Sequence, residues 1–380
     1  MTRTGDLSIR AVEGARGRRD WLAVPQRVFG DDPFWIRPLD KIELDRISPR
    51  HNPFFGFGEA GLFVAYRGDM PVGRISAQIN RRHLERYGDA TGHFGFFDSV
   101  DDAAVARALF ETARTWLKAR GMTRMVGPCS FSINEDIGLL VAGFDTTPAV
   151  LCSHARSHQG RLVEACGLRK AMDLFAYRAR LEEIPPEIER LANLMSDRGQ
   201  LRVRHLDLRN YAREGGIIFD IFNDAWSENW GFVPFSAAEI EKIISDTRPI
   251  MRGKFGRIIE VDGEPAAMIL ALPDLNRVIA PFGGRLLPFN WIRLVDAVRR
   301  DRWTSARVPL MGVRKKYRRS PLAAGLLSVM IWEMLGLARS YDLDWIEFSW
   351  ILETNGPMVR VAELAAGLPS RTYRVYEGRV

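Results

Sequence analysis

"MGVRKKYRRSPLAAGLL", residues 311–327, joins an apolar run to a basic loop and then to a second, longer apolar segment. The apolar stretch "RVPLMGV" before the loop reads as a strand, and the segment after it as a helix. A strand handed to a helix through a basic turn resembles a phosphate loop, with Pro321 and Ala323 where glycines are expected. The amides of a helix's first turn have no intrahelical partner and the dipole end is positive, so an anion is welcome there. Proline is tolerated in that first turn, although it removes one donor. Lys315, Lys316, Arg318 and Arg319 would add positive charge; a solvated basic helix start is the plainer alternative. Residues 321–338 hold a single charge, Glu333, at the lower limit of length for a membrane span. A carboxylate at mid-bilayer costs roughly 3 kcal/mol. A strand-like stretch follows at once, so a buried core helix is expected.

Outward from this point the chain repeats itself. "WLKARGMTRMVGPCSFSIN" ends at Asn134 and "GLARSYDLDWIEFSWILETN" at Asn355. Thirteen residues before each Asn stands a helix-to-strand turn, at Gly121 and at Asp342. Each half reads as long helix, turn, strand and an Asn-started helix, Asn being a favoured N-cap. Each closes with a Gly-Leu turn and a Tyr-bearing strand, "GLRKAMDLFAYR" and "GLPSRTYRVYEGR". The earlier parts agree: "LSIRAV" and "LRVRHLDL" read as strands, and "GRRDWLAVPQRVF" and "YAREGGIIFDIFNDAWS" as helices. Hairpins turn at Gly68-Asp69 and at Asp262-Gly263. The expected domains are residues 1–180 and 201–380, with 181–200 as linker and helix, punctuated by Pro185-Pro186.

The bulk numbers set limits. A chain of 380 residues favours two domains. Hydrophobic residues make up 46% and charged residues 27%, a globular balance that excludes wholesale disorder. Net charge is +7, which suits anionic partners; seven of the 54 basic residues are Lys and the rest Arg. The basic residues are scattered and no recognition motif appears, which argues against nucleic acid as partner. Cys129, Cys152 and Cys166 form an odd, sparse set without metal-like spacing, which suits a reducing compartment. No apolar leader is visible in "MTRTGDLSIR", so the expectation is cytoplasmic.

The element order resembles the GCN5-related N-acetyltransferase (GNAT) fold used twice: α/β, with two mixed, mainly antiparallel sheets flanked by helices. In that family the fourth strand leads into Gln/Arg-x-x-Gly-x-Gly/Ala, whose amides hold the pyrophosphate of coenzyme A. Residues 318–323 keep the Arg and the final Ala and replace the middle Gly by Pro. The first half carries acidic Asp98, Asp101 and Asp102 where a second such loop would lie, so one coenzyme site is expected, in the second half. "DDPFWIRPL", "PRHNPFFGFGEA", "NEDIGLLVAGFD", "DAWSENWGFVPFS", "GGRLLPFNW" and "EFSWILETNGPM" are similar to a family of double acetyltransferase-fold proteins that includes the bacterial ceramide synthases. That resemblance implies acyl transfer from acyl-CoA to the amine of a sphingoid base, with 3-oxosphinganine as expected acceptor. An acetyltransferase for a small soluble amine or peptide, and a non-catalytic binding protein of the same fold, remain alternatives.

The resemblance also distributes roles. Met311, Gly312, Val313 and Arg314 would offer a backbone N–H to the oxyanion. Tyr317, Arg318, Arg319, Ser320, Pro321, Leu322 and Ala323 would hold the coenzyme. An amine acceptor needs a base. Glu347 is the first candidate, on a strand whose alternation pairs it with Ser349 and sets Ile346, Phe348 and Trp350 on the other face. Glu353 beside Asn355 is the second. The family's usual Tyr after that Asn is missing, and Tyr373 or Tyr376 are the substitutes. Trp226, Asn229, Trp230 and Phe232 would border the acceptor, with Glu228 near its headgroup. Asn134, His154 and His158 are candidate first-half contributions; the two histidines share a face if helical, and no third ligand for a metal is evident. Residues 282–303 carry Trp291, Ile292, Val295 and Val298 on one helical stripe among arginines. Such a helix lies either on a lipid interface or against the sheet; the former implies peripheral contact with the inner face of the inner membrane.

Overall fold

The structure is a computed structural model describing residues 6–180, 186–196, 200–320 and 322–380; Pro185 of the expected linker and Pro321 of the loop lie outside them. Two compact units form, one from Met1–Leu174, Ile279–Asn290 and Arg371–Val380, the other from Phe175–Val278 and Trp291–Ser370.

The first unit begins with β1 (Leu7–Ala11), α1 (Gly14–Phe29) and α2 (Asp40–Arg46). The hairpin β2 (Gly58–Arg67) and β3 (Met70–Asn80), α3 (Arg81–Tyr87), β4 (Thr91–Ser99) and α4 (Ala103–Lys118) follow. β5 (Arg124–Gly127), β6 (Cys129–Ser130), β7 (Asp136–Ile137), β8 (Leu139–Ala142), α5 (Ser157–Ala165) and β9 (Arg169–Ala179) come next, β9 passing into the second unit at Phe175. Trp21, Val24 and Val28 lie at helical spacing on α1 and pack with Phe54, Phe96 and Phe131. Asp102 caps α4 by accepting from the Ala104 and Val105 amides, where a carboxylate also suits the dipole. Asp98 was expected at that helix start. It lies in β4 instead, buried against Arg74 at 2.7 Å, because the strand runs on to Ser99.

The second unit continues with α6 (Pro186–Ser196), β10 (Leu201–His205), α7 (Tyr211–Trp226), α8 (Ala237–Thr247), β11 (Gly256–Val261) and β12 (Glu264–Pro273). Then come α9 (Asn276–Ile279), α10 (Asn290–Arg299), β13 (Ser305–Val313), α11 (Lys315–Arg318), α12 (Leu322–Ser340), β14 (Trp345–Leu352) and α13 (Gly356–Ala366). The last strand, β15 (Arg371–Arg379), belongs to the first unit.

Both units use one plan. In the first, β1, β2, β3 and β4 are antiparallel neighbours and β4 pairs β5 in parallel. In the second, β10, β11, β12 and β13 are antiparallel and β13 pairs β14 in parallel. Gly121 and Asp342 both take positive φ, +79° and +53°, so the matched spacing marks the same left-handed turn twice. Asn355 caps α13 through the Met358 amide, as expected. Asn134 starts no helix: its N–H meets Ser132 Oγ at 3.1 Å, and the chain turns into β7. α12 is long and apolar enough to cross a membrane by length and composition, yet half of its most apolar window is buried. Its one mid-helix charge, Glu333, meets Arg257 at 2.7 Å.

Candidate active site

In the second unit β13 and β14 stay paired from Ser305–Trp345 to Val308–Phe348 and then part. Where they part, β13 carries a bulge: Leu270 of β12 faces Leu310, but Leu272 faces Arg307, so β13 uses one residue more than its partner. Pro309, which has no N–H to give a ladder, stands in that bulge. The gap is a cleft of about 480 Å³, counting its solvent-open part. Its apolar walls include Trp226, Met311, Phe348, Trp350 and Met358, and its polar groups are Asn229, Ser349 and Asn355.

Backbone direction at the cleft follows from the ladder. Arg314 N–H bonds the Ala266 carbonyl at 2.9 Å, and antiparallel pairs alternate. Arg314 and Gly312 therefore turn their amides to β12, while Met311 and Val313 turn theirs to the open side. The Met311 carbonyl, on the same edge as its N–H, accepts from Trp226 Nε1 at 3.1 Å. Of the four residues expected to supply an oxyanion donor, Met311 is both correctly turned and at the cleft.

Behind the cleft lies a buried polar chain. Ser349 Oγ donates to Glu347 Oε1 at 2.9 Å, and Arg178 Nε donates to Glu347 Oε2 at 2.8 Å. Arg307 Nε donates to Ser349 Oγ at 2.9 Å, its guanidinium 4.4 Å from the Trp350 ring centroid. Glu347 and Ser349 share a face, as expected, while Phe348 and Trp350, expected on the other, line the same cleft as Ser349 where the strands part. Ser349 lines the cleft, and Glu347 stands one hydrogen bond behind it. Nearby, burial pushes the Asp274 carboxyl up to about 6, against hydrogen bonds from the Asn276 amide and Ser305 Oγ. Sequence reasoning missed Arg178 and Arg307. The available signal was a lone Arg inside the apolar strand 305–313, since a charge there is seldom buried without a partner.

The loop after β13 is partly satisfied by its own unit. Lys315 N–H bonds Asp224 Oδ2 at 2.7 Å, and Lys315 Nζ lies 3.2 Å from Glu228. Lys316 pairs with Glu264, and Arg318 Nε bonds the Val313 carbonyl at 3.1 Å. Ser320 Oγ donates to the Tyr317 carbonyl and accepts from the Leu322 amide, and the Ala323 amide bonds the Ser320 carbonyl. Arg318 and Arg319 stay exposed, and the Arg319 side chain meets no acceptor among the described residues. A helix start with exposed cations fits an anionic group.

The remaining candidates separate. Phe232 is core, packed on Phe222 at 5.9 Å between ring centroids, and Trp230 is half-buried outside the cleft lining. Glu353 is half-buried and does not line the cleft. Tyr373 and Tyr376 sit fully buried in the first unit, Tyr373 opposite Leu140 of β8. His154 precedes α5, so it shares no helical face with His158. His154 Nε2 meets Asp32 at 2.9 Å and His158 Nε2 meets the Ser99 carbonyl at 2.9 Å.

The matching opening in the first unit is closed by its own chain. Beyond His93–Val126, Ser130 Oγ accepts the Phe96 amide at 3.0 Å and Gln78 Nε2 donates to the Cys129 carbonyl. Phe131 stacks on Phe54 at 5.1 Å between ring centroids.

The fold is two GNAT units in one chain, and the 40%-identical relative described below makes the chain an N-acyltransferase. Solved structures agree on the fold. A tandem GNAT protein from the clavulanic acid biosynthesis pathway superposes with TM-score 0.59 at 11% identity, covering 98% of each chain. A GCN5-related N-acetyltransferase from Sphaerobacter thermophilus gives 0.52 at 14%, covering 98% and 95%. No family model matches. In sequence the chain is 40% identical over 373 residues, 98% of its length and 97% of the other, to the bacterial ceramide synthase of Caulobacter vibrioides (strain NA1000 / CB15N). It is 35% identical over 374 residues, 98% and 95%, to protein YghO of Escherichia coli (strain K12). The chain belongs to the family of the bacterial ceramide synthases.

Proposed function

We propose that the second unit transfers a long acyl chain from acyl-CoA to the amine of a sphingoid base, 3-oxosphinganine being the expected acceptor. The observation that carries this is the parted β13–β14 pair, whose apolar walls suit an acyl chain and whose inner edge presents the Met311 amide. The coenzyme's diphosphate would rest at the α12 start, near Arg318 and Arg319, where displacing Ser320 Oγ would free the Leu322 amide. The acceptor nitrogen attacks the thioester carbonyl, the oxygen takes up negative charge beside Met311 N–H, and the C–S bond then breaks. A preorganised donor of this kind is worth about 3 kcal/mol. The proton leaves nitrogen for Ser349 Oγ as the serine's own proton passes to Glu347, and the departing thiolate recovers one proton. Purified protein given 3-oxosphinganine and acyl-CoAs of graded length should yield an N-acyl product by mass spectrometry, favouring long chains. Acylation of small soluble amines alone, from acetyl-CoA, would move the assignment to an acetyltransferase.

An amphiphilic acceptor also suits a cytoplasmic enzyme working against a membrane. Trp291, Ile292 and Val295 of α10 are exposed, while Val298 is half-buried, so most of the stripe is open to such a surface. Leu287 and Phe289 just before it are 75% and 71% exposed. Arg293, Arg299 and Arg300 flank the stripe, a pattern suited to an anionic lipid surface.

A further inference from the structure

Arg371, the first residue of β15, is 1% exposed, yet its side chain makes a single hydrogen bond among the described residues. Its Nε donates to Thr146 Oγ1 at 3.1 Å, in the loop that follows β8. Nη1 and Nη2, both buried, meet no acceptor among the described residues. The acidic residues near it in sequence or along the loop are committed elsewhere. Asp173 holds Arg374 at 2.8 Å, Asp32 holds His154 and Arg156, and Asp145 faces solvent. Every other deeply buried arginine described above has a partner: Arg74 its Asp98, Arg257 its Glu333, Arg307 its Ser349. Burying a cation without compensation is strongly unfavourable.

The two unmatched nitrogens are the end-on fork of the guanidinium. With Nε tied to Thr146, that fork can grip two oxygens of one carboxylate or phosphate side by side. A second buried polar atom of the same unit is also unmet: His154 Nδ1, whose ring is fixed through Nε2 on Asp32. Burial, together with the charges of Arg371 and Arg156, lowers the proton affinity of His154, so its ring lies within the field of Arg371.

We propose that Arg371 is the receptor of a small oxyanion, a carboxylate or a phosphate group, held inside the first unit by the Nη1–Nη2 fork. The site is separate from the coenzyme loop, because it uses no residue of the second unit. An occupant would compensate the buried charge and pin the 142–157 loop through Thr146.

The test is thermal unfolding of the full chain in rising sodium phosphate or sodium acetate, ionic strength being held constant with sodium chloride. The wild type should gain several degrees over chloride with at least one anion. Phosphate alone assigns a phosphoryl ligand, acetate alone a carboxylate, and both a general oxyanion receptor. Arg371→Met should lose the gain, while Arg318→Glu, altered in the basic loop, should keep it. No gain over chloride, or an equal gain in Arg371→Met, overturns the proposal. Should Arg371→Met not fold, calorimetric titration of both anions into Arg318→Glu decides. Saturable one-to-one binding supports the site and its absence removes it.

Discussion

Ser349 Oγ accepts from Arg307 and donates to Glu347, and in the proposed reaction these two bonds would set how a proton leaves the cleft. Ser349→Ala should cut turnover roughly a hundredfold, the usual lower value for acid–base help, with acyl-CoA affinity unchanged. Wild-type turnover in steady-state kinetics would take the serine out of the proton path. Glu347→Gln should slow turnover likewise, and it should also lower stability by about 3 kcal/mol or more, because Arg178 loses its buried carboxylate. Asp274 makes a separate prediction. Its folded value of about 6 lies above the ordinary 3.8, so the fold favours the protonated acid. The resulting stabilisation is complete below about pH 4 and is lost as pH rises through 6, up to roughly 3 kcal/mol. Asp274→Asn should flatten that fall in denaturant unfolding and exceed the wild type at pH 7. An unchanged pH profile would mean that the carboxyl is not strained.

β13 and β4 show how one strand plan gives two outcomes. Both part from a parallel neighbour and both carry a one-residue bulge, but Ser130 and Phe131 close the first opening, whereas the bulge of the second holds Pro309 and lines an open cleft. Phe131→Ala should cost about 3–5 kcal/mol, the loss for a buried Phe, measured by chemical denaturation. It should not create a second coenzyme site, because Ser130 still holds the Phe96 amide; two equivalents of bound acyl-CoA would contradict this. α10 leaves Trp291, Ile292 and Val295 of its stripe exposed, so Trp291→Asp with Ile292→Asp should abolish the proposed co-sedimentation with anionic vesicles while leaving turnover of a detergent-dispersed acceptor. Unchanged sedimentation would reject the lipid contact.

At the scale of the whole molecule, a net charge of +7 suits the proposed anionic coenzyme, and the exposed Arg318 and Arg319 would focus that pull at the α12 start. Acyl-CoA affinity should fall with added salt, and Arg318→Glu should weaken it further; equal affinity in the variant would separate the loop from the coenzyme. The duplicated order was legible because periodicity, glycine turns and an Asn cap are local signals, and each element obeys its own. Glu347 was legible as a charge in a strand, and the alternation correctly set it beside Ser349. Asn134 was misread because Asn favours both caps and turns, and only Ser132 and the β7 hairpin select between them. The sequence by itself determined the two-fold element order, the strand-to-helix basic loop and the apolar stripe of α10. Tertiary structure alone decided which of two similar strand pairs opens, which amides face the gap, and which buried arginine is left without a counter-charge. Those depend on side chains far apart in sequence meeting across strands, and no local pattern records such meetings.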